Sequence, residues 1–255
     1  IINLLFLIVH TNFSIILPCY NESENILELY SEILNLNVLN SYFEIIFVDN
    51  GSTDGTGVKI DEITQISSKI QNPNFFITKL TLPKNLGYGG GIVEGLKIAK
   101  GEYIGWTHAD LQTPLNDFCK LYLMIKGKEK VFAKGKRVNN RGFDSFITRM
   151  HEICAQLILG KKLNEINAQP KIINKKDLIY FKNTPKNWTT LDTYFYYISI
   201  KNDFQIYEID VIFKSRLYGQ SKWKNNFWVF IKHLFNNFFY LFRLKFLDEK
   251  NNSTK

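Results

Sequence analysis

Short apolar runs of strand length alternate along this chain with segments whose apolar residues recur at helical spacing. The runs that predict buried strands are 13–17 (FSIIL), 43–48 (FEIIFV), 75–81, 102–107 (EYIGWT), 131–135 and 205–213. The segments that predict helices are 24–36, 57–69, 90–99, 115–126, 144–159 and 189–202. Pro18 is expected to end the first strand in a turn. Strands alternating with helices indicate a parallel, doubly wound α/β sheet.

The length of 255 residues suits one large domain with small additions at its ends. We assign residues 13–223 to that domain, and 1–12 to an appendage whose apolar run is too short to span a bilayer. A final polar tail covers 247–255.

Residues 224–246 combine many aromatic and aliphatic residues with a polar stripe at near-helical spacing. No uninterrupted apolar run there exceeds five residues, which disfavours a spanning helix. Two interpretations stay open: an amphipathic helix in the membrane surface, and a core helix packed on the sheet.

The net charge of +8 favours anionic partners, either lipid or phosphorylated small molecules. Nucleic acid is disfavoured, because the chain has neither an aromatic platform nor a recognised binding motif. The three cysteines lack metal-ligand spacing, so neither a disulfide framework nor a zinc site is indicated. A reducing, cytoplasmic environment fits this pattern best.

Three loops that follow predicted strands contain the candidate chemistry: LPCYNE (17–22), VDNGSTDGT (48–56) and THADLQTP (107–114). Ligands of open parallel sheets bind beyond the carboxyl ends of the strands, where such loops lie. Asp49 suits an ordinary tight turn, but at a strand end it can also accept hydrogen bonds from a base or ribose. Asp110 suits a helix N-cap, and equally a divalent cation that bridges two donor phosphates.

These motifs resemble family 2 glycosyltransferases, particularly the branch of dolichol-phosphate mannose synthases and polyprenyl-phosphate glycosyltransferases. LPCYNE is similar to the P-x-Y-N-E opening of that family, VDNGSTDGT to V-D-D-G-S-x-D-G-T, and THADLQTP to D-A-D-L-Q-x-P. The resemblance covers residues 13 to about 224 and implies a GT-A fold, a mixed and mainly parallel sheet flanked by helices. Asn50 replaces the second Asp of the family motif, and His108 replaces the first Asp of the metal motif.

The resemblance implies a nucleotide-sugar donor, a GDP- or UDP-sugar, and a divalent cation, Mn²⁺ or Mg²⁺. The implied metal ligands are Asp110 and Gln112, with His108 either a third ligand or a structural residue. The implied donor-binding residues are Pro18, Tyr20, Asn21, Glu22, Asp49, Asn50, Ser52, Asn85, Gly87 and Gly91.

Three later segments are expected to face the acceptor: KGKR (134–137), NAQPK (167–171) and RLYGQSKW (216–223). The implied acceptor- or phosphate-binding residues are Arg137, Gln169, Lys171, Arg216, Ser221 and Lys222. Asp110, Arg216 and Asp192 are the candidate catalytic residues. Asp192 lies where many members have a catalytic base, although a helix N-terminal acid explains it equally.

The resemblance therefore implies single-displacement transfer with inversion onto an acceptor presented at a membrane, by a peripheral protein on its cytoplasmic face. A polyprenyl phosphate needs no base, because its oxygen is already an anion. A saccharide or other hydroxyl acceptor would need one, and Asp192 is then the candidate. The third hypothesis is a nucleotide-sugar binding module without catalysis.

Overall fold

The computed structural model describes residues 11–36, 38, 41–70, 72–139, 142–182, 184, 190–216 and 227–252. Within the last range, the side chains of 227–231, 233, 234 and 247–252 are not described. The predicted phosphate-binding residues Ser221 and Lys222 lie outside the described residues.

Seven strands of the described chain form one sheet in the order β3-β2-β1-β4-β6-β5-β7. The strands are β1 (Phe13–Cys19), β2 (Phe43–Asp49), β3 (Phe75–Thr81), β4 (Tyr103–Trp106), β5 (Val131–Arg137), β6 (Lys171–Asn174) and β7 (Gln205–Val211). The α-helices are α1 (Ile26–Leu34), α2 (Thr56–Ile70), α3 (Gly87–Ile98), α4 (Leu115–Ile125), α5 (Phe143–Leu159), α6 (Leu191–Lys201) and α7 (Phe227–Asn252). A 3₁₀ helix covers Lys175–Tyr180.

Strand β6 is the element that makes the sheet mixed. It runs antiparallel to both β4 and β5, whereas β1–β4 pair in parallel and β7 pairs with β5 in parallel. Its first residue, Lys171, therefore pairs with Trp106, the last residue of β4. The segment before β6 consequently lies at the same sheet edge as the loops that follow the parallel strands.

The central strands β1, β2 and β4 are buried on both faces, which explains why their sequences are mainly apolar. On one face Phe13, Ile15 and Leu17 pack with residues of α1, α2 and α4. On the other face Ile16 packs in a second cluster with residues of α3, α5, α6 and α7. The sheet is therefore the middle layer of three.

Several elements of the structure differ from those that the sequence predicts. Strand β6 was not predicted at all, since KIIN is shorter than an average strand and follows a polar segment. Helix α3 begins at Gly87 rather than 90, and α7 continues to Asn252, beyond the predicted end at 246. Strand β1 continues through Pro18 to Cys19.

Pro18 does not end β1 because its missing N–H is not needed there. Cys19 faces β2, as its carbonyl accepts from the Asn50 N–H at 2.8 Å. Successive residues of a strand point their backbone groups to opposite sides, so Pro18 faces the β4 side. Strand β4 ends at the register of Ile16, before it reaches Pro18. A proline is tolerated at such a strand edge.

Helix α7 packs one face in the core, as the core-helix interpretation of the aromatic tail predicts, while the membrane-surface interpretation stays a prediction. Leu241 and Leu244 are buried in the second core cluster. Tyr240 is also partly buried, so it does not belong to an exposed polar face. The opposite face exposes the aromatic side chains Phe235, Phe238, Phe239, Phe242 and Phe246. Among the described residues, no helix is apolar enough over sufficient length to cross a bilayer.

Gly105 of β4 provides a test of this close-packed sheet. A Cβ there would overlap the carbonyl oxygen of Lys171 on β6 and lie 2.6 Å from the Phe118 ring. We expect Gly105→Ala to lower the free energy of unfolding by about 3 kcal/mol or more, measured by urea denaturation. Gly55→Ala is the control, since open space surrounds Gly55 and only its φ of +88° is unfavourable, at about 1 kcal/mol. Equal losses in the two variants would contradict this packing.

Candidate functional site

The loops after β1 and β2 are fastened to each other by hydrogen bonds. The Asn21 N–H donates to Ser52 Oγ at 3.1 Å, and Asn21 Oδ1 accepts from the Thr53 N–H at 2.8 Å. The Glu22 N–H donates to Thr56 Oγ1 at 2.9 Å. Three predicted donor-binding residues, Asn21, Glu22 and Ser52, are thus brought together at the carboxyl edge of the sheet.

The buried pair Asp49 and Asn50 shapes the second loop and joins it to α3. Asp49 Oδ1 accepts from the Ser52 N–H at 3.0 Å. Asn50 donates from Nδ2 to the Gly87 carbonyl at 2.8 Å and accepts at Oδ1 from the Leu86 N–H at 2.9 Å. An aspartate at position 50 could not make the first of these bonds, since a carboxylate has no donor. The departure of Asn50 from the family motif therefore has a structural reason.

Glycines allow the first turns of α3 to approach this edge closely. A Cβ on Gly91 would lie 3.2 Å from both Pro18 Cβ and Asn50 Nδ2. Gly87 has a φ of +77°, and its N–H donates to Asn85 Oδ1 at 2.7 Å. Tyr20, directly after β1, is partly buried beside these loops. The predicted donor-binding residues from 18 to 91 consequently surround one place on the sheet edge.

Asp110 and Gln112 both bind the guanidinium of Arg216. Arg216 Nη2 lies 2.9 Å from Asp110 Oδ2, and Arg216 Nε donates to Gln112 Oε1 at 3.3 Å. Asp110 is only 3% exposed, whereas the Arg216 side chain is 30% exposed. The structure thus brings together three predicted site residues from two distant segments.

Two further hydrogen bonds join the segment that follows β7 to the loop that follows β4. The Lys214 N–H donates to the Gln112 carbonyl at 2.9 Å, and Gln112 Nε2 donates back to the Lys214 carbonyl at 2.9 Å. These bonds place Arg216 over the two side-chain oxygens that the metal motif supplies.

His108 lies beside aromatic rings. Its ring centroid is 5.0 Å from that of Tyr88 and 6.3 Å from that of Phe213. Burial lowers the pKa of His108, and Lys171 and Arg216 act in the same direction, against the opposing effect of Asp110 and Asp192. The imidazole is therefore neutral near pH 7 and keeps a nitrogen lone pair.

Asp110 and Gln112 have the donor atoms that a divalent cation requires. Asp110 Oδ2 and Gln112 Oε1 converge on one positively charged group, and oxygens are the ligands that Mg²⁺ and Mn²⁺ prefer. Within the described part of the chain, no group of three His, Cys, Asp or Glu residues converges as a metal site. Two oxygens of the predicted ligand set thus fit a cation, while His108 stays a predicted third ligand.

Asp192, at the start of α6, accepts hydrogen bonds from three side chains. Trp106 Nε1 donates to Oδ1 at 3.1 Å, and Gln169 Nε2 donates to Oδ2 at 3.1 Å. Lys171 Nζ lies 3.1 Å from Oδ1 and also donates to the Ala168 carbonyl at 2.8 Å. The carboxylate is nearly inaccessible and its charge is balanced by Lys171. This geometry suits a positioning role better than that of a general base.

Sequence reasoning missed two residues of this site, Trp106 and Tyr88. Trp106 was taken only as part of a strand, and Tyr88 as part of a glycine-rich loop. Burial raises the pKa of Tyr88 well above its ordinary value, and the nearby charges of Asp192 and Asp110 add to that effect. Among the described residues, the buried Tyr88 hydroxyl has no hydrogen-bond partner. A tyrosine directly before three glycines was the signal available in the sequence.

Arg137, at the end of β5, lies further from this group. Its Nε pairs with Glu165 Oε2 at 2.5 Å, and its guanidinium lies over the Phe213 ring at 5.8 Å. The predicted phosphate-binding role of Arg137 stays a prediction, because in this state the side chain is held by an internal ion pair.

A model of the family described as "Glycosyl transferase family 2" matches residues 14–197 of this chain. A dolichol-phosphate mannosyltransferase of Pyrococcus furiosus is 33% identical over 159 residues, which are 60% of this chain and 42% of the relative. An undecaprenyl-phosphate 4-deoxy-4-formamido-L-arabinose transferase of Proteus mirabilis is 28% identical over 129 residues, 50% of this chain and 37% of the relative. The chain thus spans less than half the length of these two relatives.

Solved structures show the same fold. A mannosyltransferase of Pyrobaculum calidifontis, in complex with GDP-Man and Mn²⁺, superposes with a TM-score of 0.64 at 17% identity, over 92% of this chain and 65% of that one. A glucosyl-3-phosphoglycerate synthase of Mycobacterium tuberculosis, with Mn²⁺, UDP and its product, gives 0.61 at 16% identity, over 89% and 80%. The predicted GT-A fold is confirmed.

The ion pair of Lys171 and Asp192 leads to a prediction of pH dependence. Burial lowers the pKa of Lys171 from 10.5 to about 8, despite the opposing effect of Asp192. Between these values the unfolded chain holds a proton that the folded chain has released, so this group makes the free energy of unfolding rise with pH. We expect a rise of about 3 kcal/mol between pH 8 and 10.5 from this lysine.

Lys171→Met isolates that contribution, because the other titrating groups are common to both proteins. Urea denaturation across this pH range should show the difference, wild type minus variant, growing with pH. Parallel curves for the two proteins would show that Lys171 does not release its proton there.

Proposed function

This chain belongs to glycosyl transferase family 2, and from that premise we propose that it transfers a sugar from a nucleoside-diphosphate donor to a polyprenyl phosphate. Transfer occurs at a membrane surface and inverts the anomeric carbon. The observation that favours this acceptor is the Asp192 carboxylate, which is enclosed by three donors and is therefore poorly placed to act as a base.

The donor binds across the loops that follow β1 and β2. Asp49, Tyr20 and Glu22 hold the nucleoside, and the backbone near Gly87 and Gly91 approaches the diphosphate closely. The buried Asp49 is held in place by the Ser52 N–H. In support, a structural neighbour was solved with GDP-Man and another with UDP.

The diphosphate is the leaving group, and the site opposes its charge. Asp110 and Gln112 would hold a divalent cation, Mn²⁺ or Mg²⁺, which neutralises negative charge on the departing diphosphate. Arg216 provides a planar guanidinium that can bind phosphate oxygens in a bidentate manner. Both neighbours named above were crystallised with Mn²⁺.

The reaction is a single displacement. An oxygen of the acceptor phosphate forms a bond to the anomeric carbon while the bond from that carbon to the donor diphosphate breaks. The electron pair of the broken bond leaves with the nucleoside diphosphate, and no proton has to be removed from the acceptor. The names of the two curated relatives, with dolichol phosphate and undecaprenyl phosphate, agree with such an acceptor.

Two helices support the proposed membrane location. Helix α5 packs against α7, and besides the exposed aromatic face of α7, α5 has an exposed apolar stripe of Phe143, Phe146, Met150, Ile153 and Leu157. The exposed cations Lys232, Arg243 and Arg149 belong to the same two helices. Aromatic side chains beside cations suit the interface of an anionic bilayer.

The transfer hypothesis is tested with the purified full chain, Mn²⁺, labelled GDP- and UDP-sugars, and a polyprenyl phosphate. We expect label to move into the lipid fraction, and Asp110→Asn to lower the rate about 100-fold or more, since charge on the leaving group is then less stabilised. Asp192→Asn should lower the rate less than about tenfold per folded molecule.

Two results would contradict this proposal, and each would indicate a different function. A loss in Asp192→Asn as large as in Asp110→Asn would indicate a base and thus a hydroxyl acceptor. Donor binding by calorimetry without any transfer would indicate a binding module.

Membrane association is tested by sedimentation with vesicles of phosphatidylcholine and phosphatidylglycerol. We expect the double variant Leu157→Glu, Phe239→Glu to bind at least about tenfold more weakly than wild type, because both charges enter the proposed contact face. The double variant Val58→Glu, Ile66→Glu is the matched control, since it adds the same two charges at exposed positions of α2, on the opposite side of the sheet. Equal binding by all three proteins would exclude this face.

A further inference from the structure

Arg216 uses the same two oxygens that a divalent cation would use. Its Nη2 lies 2.9 Å from Asp110 Oδ2, and its Nε donates to Gln112 Oε1 at 3.3 Å. A cation held by Asp110 Oδ2 and Gln112 Oε1 would lie next to the guanidinium, and the two positive charges would repel each other. Asp110 is 3% exposed with Arg216 in this place. Arg216 therefore opposes the binding of a cation to these two oxygens.

The position of Arg216 is built by its own segment rather than by chance contact of a long side chain. The backbone N–H and carbonyl of Lys214, two residues before Arg216, are both hydrogen-bonded to Gln112. The Lys214 N–H donates to the Gln112 carbonyl, and Gln112 Nε2 donates to the Lys214 carbonyl, each at 2.9 Å. The Asp110 carboxylate is in turn oriented by the Gln112 N–H, which donates to Oδ1 at 3.2 Å. The backbone from which the Arg216 side chain extends is thus tied to the loop that contains Asp110 and Gln112.

We propose that Arg216 is an intramolecular competitor of the divalent cation, which it excludes from Asp110 and Gln112 until a diphosphate binds. The inference rests on the proposed function, because it takes the donor diphosphate as the ligand that attracts Arg216. A diphosphate offers the guanidinium paired oxygens with more negative charge than one carboxylate. When Arg216 moves to it, Asp110 and Gln112 become available, and the cation binds together with the donor rather than before it.

The consequence is measurable without any transfer reaction. If Arg216 competes with the cation, removing its guanidinium should strengthen the binding of Mn²⁺ in the absence of nucleotide. If Arg216 only binds phosphate, removing it should leave this affinity unchanged. Binding of Mn²⁺ to the nucleotide-free full chain is measured by electron paramagnetic resonance of the free ion. We expect Arg216→Met to bind Mn²⁺ about fivefold more tightly than wild type, the scale of one partly exposed ion pair.

Three variants make the result specific. Lys214→Met removes an exposed cation from the same segment without touching Asp110, and should stay within about twofold of wild type because exposed charges act weakly. Arg216→Lys keeps the charge but loses the second contact, and should lie between wild type and Arg216→Met. Asp110→Asn in the Arg216→Met background should abolish the gain. Circular dichroism and thermal unfolding confirm that each variant is folded.

The proposal is overturned if Arg216→Met binds Mn²⁺ no more tightly than wild type, or if Lys214→Met gains as much. It is also overturned if the gain survives Asp110→Asn, since Mn²⁺ would then bind elsewhere. A second measurement adds GDP or UDP: the nucleotide should strengthen Mn²⁺ binding more in wild type than in Arg216→Met, because binding couplings are reciprocal. Failure of sugar transfer leaves all these affinities unaffected, so the two hypotheses fail separately.

Discussion

The carboxylate of Asp192 joins the elements on which the site is built. Its oxygens accept from Trp106 at the end of β4, from Gln169 before β6, and lie 3.1 Å from Lys171 at the start of β6. A buried carboxylate without partners would be strongly destabilising, so this charge requires the antiparallel strand that supplies Lys171. The start of α6, the end of β4 and the start of β6 are thereby fixed relative to one another. The loop that contains His108 and Asp110 begins directly after this fixed point.

The alternation of strands and helices in the first half of the chain could be predicted from sequence, because both faces of β1 and β2 are covered and their residues are mostly apolar. Strand β6 could not be predicted, since four residues with polar ends give too short a pattern. The family motifs identified Asp110, Gln112 and Arg216 as site residues. They did not predict that Arg216 contacts the other two. That contact joins residues more than a hundred positions apart, and no local pattern encodes it. Asn50 shows the same limit, for its partners Leu86 and Gly87 are distant in sequence.

The contacts of Asn50 and His108 explain why these two residues can depart from the family motifs. Asn50 provides both a donor and an acceptor to the backbone before α3, which an aspartate could not do. His108 replaces a negative charge by a neutral ring packed near Tyr88. With one carboxylate fewer in this loop, Asp110 is the acidic residue of the metal motif that remains. Arg216 can balance that single charge completely, which it could not do for two.

Charge balance connects the two halves of the site. Asp192 is paired with Lys171, and Asp110 with Arg216, so each of these carboxylates has one cation. A nucleoside diphosphate adds negative charge that this balanced arrangement does not offset. If Arg216 turns to the diphosphate, Asp110 is left without its cation, and burial makes an unpaired carboxylate costly. Under the proposed function, a divalent cation held by Asp110 and Gln112 would restore that balance. The electrostatics that pairs Asp110 with Arg216 would therefore favour joint binding of donor and metal.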